Sequence, residues 1–347
     1  MQKLGFDNEL IKLLNIFETS QYNHRVDLSP IKNLPIISRQ DLRKIDMKKE
    51  FYKTSTSGST GEPVSLEKTI GDHLWHLATN IREIRWRDWN PSLNMAVIKP
   101  SVEKKVQDYP SWGIPQSIAK NQGDLYLHYQ APISELQAWL EEKNPHYLHS
   151  YPSVAKQLDF TKITNIMDMK STGENGGTMF SSEECGTIAI QCPTNKQNYH
   201  VMENQIVETN ENNELIITTL TNPYIRRYKN GDVVELGECN CGRSLQTIKK
   251  IYGRVRNMFT MSNGDNKWPI FGSRTFYEKY GIQQFKLTQI ELRKLVLEII
   301  AEPLSEQSIV NIKQEINSLL DADCEVDMKY VNNFSNYKHE EFVSLIV

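Results

Sequence analysis

The sequence predicts an α/β protein whose C-terminal end forms a smaller α+β domain. In the first half, the short strand-like MAVIKP (95–100) stands between helices predicted over 66–90 and 132–143. Alternation of strands and helices along the chain is typical of α/β domains. Near the C-terminal end, two strand-like segments precede an amphipathic helix over 306–320, and the strand-like CEVDMKYV follows it. This grouping indicates a separate small α+β unit.

We place the boundary between the two domains near residue 253. The large domain spans residues 1–253, and its part from about 186 to 250 is rich in strand-like segments separated by turn residues. The small domain spans residues 254–347. The polar stretch KKIYGRVRN (249–257), built around one glycine, is the predicted hinge between them.

Composition excludes several classes of function. The 347 residues are 39% hydrophobic and 24% charged, with a formal net charge of −3. Basic runs interleaved with aromatic residues are lacking, so nucleic acid is not an expected partner. No apolar run approaches the roughly 18 residues that a membrane helix needs. The N-terminus has early acidic residues and no continuous apolar core, unlike a signal peptide. We therefore expect a cytoplasmic protein without a membrane partner.

The segment TSTSGSTGEP (54–63) is rich in hydroxyl groups and glycine. Its backbone N–H groups and hydroxyls are the donors that a polyphosphate needs, because glycine allows the backbone to approach a ligand closely. It is not a Walker loop, since no Gly-Lys-Ser/Thr follows at the required spacing. Composition alone favours a solvated turn.

Five segments in order resemble motifs of the adenylate-forming superfamily, which includes acyl- and aryl-CoA ligases. TSGSTGEP resembles its phosphate-binding loop, and Val64 in place of the usual lysine resembles the phenylacetate–CoA ligase-like branch. The other four segments are FSSEECG (180–186), IRRYKNGD (225–232), YGRVRN (252–257) and NYKHEEF (336–342). The resemblance covers roughly residues 50 to 345. It implies a large domain with mixed sheets and a small mobile C-terminal domain.

The resemblance assigns roles to individual residues. Ser182 would contact the nucleotide phosphate and Glu183 would hold Mg²⁺. Asp232 would accept hydrogen bonds from the ribose hydroxyls, and Arg254 would reach the ribose or phosphate. Lys338 would serve adenylation. The phosphate cradle would consist of Thr56, Ser57, Gly58, Ser59, Thr60 and Gly61. Each residue also has an interpretation without a functional role: a solvated acid beside a helix cap for Glu183, a hairpin turn for Asp232 and an exposed surface lysine for Lys338.

The resemblance also implies a substrate pocket. Tyr151, Gly173 and Phe180 would line it, although a core aromatic is the alternative for Tyr151. The chain is shorter than its relatives between STGE (171–174) and Phe180, where they have a helix and another strand. Here Gly176 and Gly177 would make a compact bypass, or one α/β unit has been lost.

The five cysteines predict a metal site or buried thiols, because their number is odd and the chain is large. Cys192 and His200 lie eight residues apart, and Cys239 and Cys241 form a Cys-x-Cys pair. Three thiolates and one imidazole suit a structural, tetrahedral Zn²⁺. The alternative is a set of incidental thiols. Cys185 and Cys324 show no partner.

The leading hypothesis is an ATP-dependent ligase that converts a small aryl or acyl carboxylic acid into acyl-AMP and pyrophosphate. The acyl group would then pass to CoA or to the phosphopantetheine of a carrier protein. One alternative is transfer to a protein cysteine, as in the acyl-protein synthetase of bacterial luminescence. Another is a non-catalytic, nucleotide-binding relative. The sequence leaves open the acid, the thiol acceptor and whether the protein is a homodimer.

Overall fold

The computed structural model describes most of the chain. The described residues are 7–48, 51–55, 65–99, 105–129, 131–172, 177–254, 257–264, 266–267, 276, 279–334 and 342–346. The chain forms two compact units: Met1–Asn230 with Val234–Ile251, and Gly231–Val233 with Tyr252–Val347. In the described part, no helix is both long and apolar enough to span a membrane.

The N-terminal part of the first unit contains three helices and a β-hairpin. They are α1 (Asp7–Asn23), α2 (Arg39–Lys44), β1 (Tyr52–Ser55), β2 (Ser65–Lys68) and α3 (Ile70–Trp86). Helices α1 and α3 pack together through Leu10, Leu14, Phe17, Ala78 and Ile81.

Helix α3 is shorter than the helix predicted over 66–90. Residues 65–68 pair antiparallel with β1 instead of entering the helix. Thr69 then starts α3 with a capping box, because its hydroxyl accepts from the Asp72 N–H while the Asp72 carboxylate accepts from the Thr69 N–H. The hairpin therefore ends where the helix begins.

A five-stranded sheet follows in the first unit. Its elements in chain order are β3 (Met95–Lys99), β4 (Gln107–Tyr109), β5 (Leu125–Tyr129), α4 (Ile133–Lys143), β6 (Tyr147–Ser150), α5 (Pro152–Ala155) and β7 (Asp168–Ser171). A 3₁₀ turn, Phe160–Lys162, lies between α5 and β7. The strand order is β4-β5-β3-β6-β7, with all pairs parallel except β4 with β5. Leu136 and Leu140 of α4 pack with Ile98 and Leu148 to form its core. This parallel arrangement confirms the predicted α/β class.

The strand-rich region forms a seven-stranded sheet. Its strands are β8 (Met179–Ser182), β9 (Gly186–Gln191), β10 (Tyr199–Val201), β11 (Gln205–Thr209), β12 (Glu214–Thr219), β13 (Tyr228–Gly237) and β14 (Thr247–Arg254). Their order is β11-β12-β13-β14-β10-β9-β8. Ile188, Val207, Ile217, Val234 and Ile248 are buried in one cluster on this sheet.

The second unit is built around a four-stranded sheet and one helix. Its elements are β15 (Phe259–Thr260), β16 (Asn266–Lys267), β17 (Gln284–Glu291), β18 (Lys294–Ile300), α6 (Glu306–Leu320), β19 (Glu325–Tyr330) and β20 (Phe342–Ser344). The strand order is β19-β18-β17-β20. Ile312 and Ile316 of α6 are buried with Leu287 and Leu297 of the sheet. The predicted helix over 306–320 is confirmed. The predicted hinge residues 255 and 256 lie outside the described residues.

Candidate active site and metal centre

The β1–β2 hairpin brackets the segment that is predicted to hold phosphate. The two strands pair from Tyr52 opposite Lys68 to Ser55 opposite Ser65. The predicted cradle between them, Thr56, Ser57, Gly58, Ser59, Thr60 and Gly61, lies outside the described residues. On the strand just before it, the Thr54 hydroxyl donates to Glu183 Oε2 at 3.1 Å. The strand that leads into the predicted loop therefore contacts the predicted Mg²⁺ ligand.

Glu183 lies in a tight turn between β8 and β9. Ser182 and Gly186 pair across the turn, and the Ser182 hydroxyl accepts from the Cys185 N–H at 3.1 Å. Gly186 has a φ of +73°, a conformation that side chains with a Cβ rarely adopt. Glu183 itself is exposed. The turn thus presents an exposed carboxylate that contacts the Thr54 hydroxyl, and such oxygen atoms are the ligands that Mg²⁺ prefers.

Asp232 and Arg254 lie close together. Arg254 Nε is 3.1 Å from Asp232 Oδ1, and the Asp232 side chain is 9% exposed while that of Arg254 is 40% exposed. The two residues lie on the neighbouring strands β13 and β14. Asp232 is within a strand rather than at the hairpin turn that was its alternative. Gly231 precedes it with a φ of +80°, so the strand is distorted at this point.

The residues predicted to line the substrate pocket lie on different sheets or outside the described residues, and so does the predicted adenylation lysine. Tyr151 is half-buried against the core of the five-stranded sheet, whereas Phe180 packs against the core of the seven-stranded sheet. Tyr151 thus has the contacts expected of a core aromatic, which was the alternative to a substrate-pocket residue. A substrate pocket shared by Tyr151 and Phe180 stays a prediction. Gly173 and Lys338 lie outside the described residues.

Cys192, His200, Cys239 and Cys241 form a compact cluster. One ligand atom from each residue lies within 4.8 Å of those of the other three. His200 Nε2 is 3.1 Å from Cys241 Sγ, and Cys239 Sγ is 3.9 Å from Cys192 Sγ. Ligand atoms of a tetrahedral zinc site lie about 3.5–3.8 Å apart, given Zn–S of ~2.3 Å and Zn–N of ~2.0 Å. The cluster therefore has the size and the donor atoms of a zinc site.

The sheet order explains this convergence. Strand β10 pairs with β9 on one side and β14 on the other, which places His200 opposite both Ile190 and Thr247. Cys192 directly follows β9, and the Cys-x-Cys pair lies in the connection between β13 and β14. The Cys192–His200 pair and the Cys239–Cys241 pair, which are separated by 39 positions or more, thus meet at one end of the sheet.

The protonation states of the cluster follow from burial and nearby cations. Burial lowers the pKa of His200 to about 4, and Arg243 and Arg82 act in the same direction. The imidazole is therefore neutral at pH 7, the form that binds metals. Burial raises the pKa of Cys192 to about 11. Burial also opposes ionisation of Cys241, but hydrogen bonds from Arg243, Cys239 and Cys192 together outweigh it and lower the pKa of this thiol.

Lys68 also belongs to this region, although none of the sequence motifs includes it. Lys68 is 6% exposed, and its ammonium donates to the backbone oxygen of Glu184 at 2.7 Å. On the opposite side, the Tyr228 hydroxyl donates to Glu184 Oε1 at 3.2 Å. The available signal was strand alternation, because Lys68 shares a face of β2 with the buried Leu66.

Comparison with known proteins identifies the fold. No protein-family model matches the sequence, and no curated protein matches it either. Among solved structures, 2-hydroxyisobutyryl-CoA ligase in the postadenylation state, in complex with 2-HIB-AMP, has a TM-score of 0.64 and 15% identity, covering 98% of this chain and 89% of that chain.

Two further structures agree. O-succinylbenzoate coenzyme A synthetase from Bacillus subtilis, in complex with AMP, has a TM-score of 0.54 and 10% identity, covering 81% of this chain and 65% of that chain. The acyl acid amido synthetase AtGH3.15, in complex with 2,4-DB, has a TM-score of 0.56 and 12% identity, covering 94% of this chain and 86% of that one. The chain therefore has the fold of the adenylate-forming ligases, and the predicted fold class is confirmed.

Proposed function

We propose that this chain is an ATP-dependent ligase that activates a small carboxylic acid as acyl-AMP and then transfers the acyl group to a thiol. The observation that carries the proposal is the contact between Thr54 and Glu183. It joins the hairpin around a phosphate-loop-like segment to an exposed carboxylate on a hydroxyl-rich turn, within the fold of adenylate-forming ligases. Solved proteins of this fold are in complex with AMP or with 2-HIB-AMP.

In the proposed reaction, an oxygen of the substrate carboxylate attacks the α-phosphorus of ATP and pyrophosphate leaves. Backbone N–H groups and hydroxyls of residues 56–61 would bind the phosphates together with Ser182, and Glu183 would hold the Mg²⁺ that accompanies ATP. Lys338 would stabilise the negative charge that builds up on the phosphates. These roles fit the residue types, and Glu183 meets the requirement of an accessible oxygen ligand.

Asp232 and Arg254 would contact the ribose of the nucleotide. In the described residues they form an ion pair that holds both side chains in place. A carboxylate that is oriented by an arginine can accept hydrogen bonds from ribose hydroxyls, because both carboxylate oxygens are acceptors. We propose that Arg254 orients Asp232 in this way.

The acceptor is proposed to be the thiol of CoA or of a carrier-protein phosphopantetheine. Two cysteines outside the metal cluster, Cys185 and Cys324, are 4% and 6% exposed. Burial raises the pKa of Cys185 to about 12 and also raises that of Cys324. A buried, protonated thiol is a poor nucleophile, so neither suits an acyl acceptor within this chain. A cytoplasmic location agrees with such substrates and is part of the proposal.

ATP–pyrophosphate exchange with a panel of aryl, hydroxy and fatty acids tests this function. Exchange with at least one acid is expected in the wild type. Glu183→Gln should reduce it about 100-fold or more, because it removes the charge that faces the cation. Lys338→Ala should also reduce it. Glu211→Gln, at an exposed turn in the same unit, is the control and should leave exchange unchanged. ATP binding without exchange for any acid would favour a non-catalytic relative.

We further propose that the Cys192, His200, Cys239 and Cys241 cluster binds one structural Zn²⁺. Four protein donors leave no open position for chemistry. Metal analysis of protein purified without chelator should give close to one zinc per chain. Cys239→Ser should lose the metal and lower the melting temperature, whereas Cys324→Ser should retain it. A folded wild-type protein with no zinc would refute this assignment.

A further inference from the structure

Lys68 is a buried cation at the junction between the hairpin and the Glu183 turn. It belongs to β2, the strand that leads out of the predicted phosphate loop, and its side chain is almost fully buried. Burying an ammonium group is costly unless hydrogen bonds compensate it. Within the described ranges, its ammonium has a hydrogen bond to the Glu184 backbone oxygen, at 2.7 Å, and no carboxylate within ion-pair distance. Burial of the Lys68 ammonium thus costs stability, and its hydrogen bond to one peptide group offsets part of that cost.

That peptide group immediately follows the one formed by Glu183 and Glu184. Two contacts from one hairpin therefore hold successive residues of the turn: Thr54 on β1 contacts the Glu183 side chain, and Lys68 on β2 contacts the Glu184 backbone. The Tyr228 hydroxyl holds the Glu184 side chain from another strand. Each of the three bonds has one charged partner, a carboxylate acceptor in two of them and the Lys68 ammonium donor in the third, so all are charge-assisted. The Lys68 bond is the shortest of the three.

We propose that Lys68 is a positioning residue for the nucleotide site. It fixes the Glu183 turn against strands β1 and β2, so that the Glu183 carboxylate is held in one position for the Mg²⁺ that accompanies ATP. This inference rests on the proposed function for the role of Glu183. A purely structural lysine would stabilise the fold without any link to the cation. The two roles differ in what happens to Mg²⁺ dependence when the ammonium is removed.

The test replaces Lys68 with methionine, which keeps the length and packing of the side chain but removes its charge and hydrogen bond. Lys53→Met, on the exposed face of the neighbouring strand β1, is the matched control. Hydrogen–deuterium exchange on the ligand-free proteins should show faster exchange in peptides covering 179–186 for Lys68→Met alone. Peptides covering 284–300 should be unchanged in both variants.

The second readout is the Mg²⁺ dependence of ATP–pyrophosphate exchange. Lys68→Met should lower the rate about ten-fold and raise the Mg²⁺ concentration for half-maximal exchange several-fold, in line with the loss of one charge-assisted bond. Lys53→Met should match the wild type. Unchanged amide exchange over 179–186 would overturn the positioning role, whatever the activity.

A lower melting temperature with unchanged Mg²⁺ dependence would show a structural lysine and would also overturn the proposal. Failure of the proposed function has a different signature, because the wild type itself would then show no exchange with any acid. The deuterium measurement would still decide in that case whether Lys68 holds the turn.

Discussion

Removal of the Arg82 guanidinium should destabilise the first unit strongly. Arg82 Nη1 and Nη2 donate to the two carboxylate oxygens of Glu203 at 2.6 and 2.8 Å, and Nη2 also donates to the Phe17 backbone oxygen at 3.1 Å. The guanidinium carbon lies 3.7 Å from the centre of the Phe17 ring. The two charged side chains are only 3% and 7% exposed. Arg82→Met would leave the Glu203 carboxylate buried without its cation.

The expected loss follows from this burial. Breaking a buried ion pair by removing one partner costs about 3–5 kcal/mol, because the remaining charge is uncompensated. For a unit of this size, 1 kcal/mol corresponds to about 2–4 °C, so the melting temperature should fall by roughly 6–20 °C. Arg85→Met is the control on the same helix. Its partner is Glu18 at 2.9 Å, with side chains 45% and 59% exposed. Such an exposed pair is worth at most about 1 kcal/mol.

Urea unfolding, followed by tryptophan fluorescence, measures both variants. The double variant Arg82→Met/Glu203→Gln should be more stable than Arg82→Met alone, because the neutral amide removes the buried unpaired charge. A loss of stability in Arg82→Met no larger than that in Arg85→Met would contradict a stabilising buried ion pair. So would a double variant whose loss equals the sum of the losses in Arg82→Met and Glu203→Gln.

Two further predictions concern pH and backbone strain. Burial lowers the pKa of His149 to about 3, and the cations Lys170, Lys99 and Arg87 act in the same direction. The unfolded imidazole takes up a proton near pH 6.5 and the folded one only near pH 3, so this residue favours unfolding as the pH falls below 6.5. Between pH 7 and 4.5, the free energy of unfolding should therefore fall by roughly 2 kcal/mol less in His149→Gln than in the wild type. Urea midpoints at the two pH values measure this difference, and equal losses in the two proteins would contradict it. Gly231→Ala should lower the free energy of unfolding by about 1–2 kcal/mol in the same assay, because φ is +80° at this position. No atom lies within 4 Å of the added methyl group, so the cost comes from the backbone conformation alone. An unchanged urea midpoint would refute the left-handed backbone.

The fold class was predictable because strand–helix alternation and the C-terminal amphipathic helix are local signals. The start of α3 was not, since residues 65–68 join a hairpin whose other strand lies ten residues earlier. Local patterning favours helix there, and pairing with β1 overrides it. The Thr69-x-x-Asp72 capping box, which marks the true start, was present in the sequence.

For the metal cluster, the sequence indicated the residues but not their arrangement. Residue types alone indicated Cys192, His200, Cys239 and Cys241, but only the sheet order brings their ligand atoms within 4.8 Å. The burial of Lys68 was not predicted, because its one signal, alternation with Leu66, can be read only once residues 65–68 are known to form a strand. Its inward direction depends on the register of the hairpin, which the sequence alone does not specify.

The most direct test of the proposed adenylation follows an oxygen atom. If a carboxylate oxygen attacks the α-phosphorus, acid labelled with ¹⁸O in its carboxylate should transfer one ¹⁸O atom to AMP after the acyl group passes to CoA or a carrier thiol. The acid with the highest ATP–pyrophosphate exchange is the substrate for this experiment, and Glu183→Gln is the negative control. Mass spectrometry of the nucleotide should show AMP heavier by one ¹⁸O. Labelled inorganic phosphate together with ADP, or no acid-dependent AMP at all, would contradict the account.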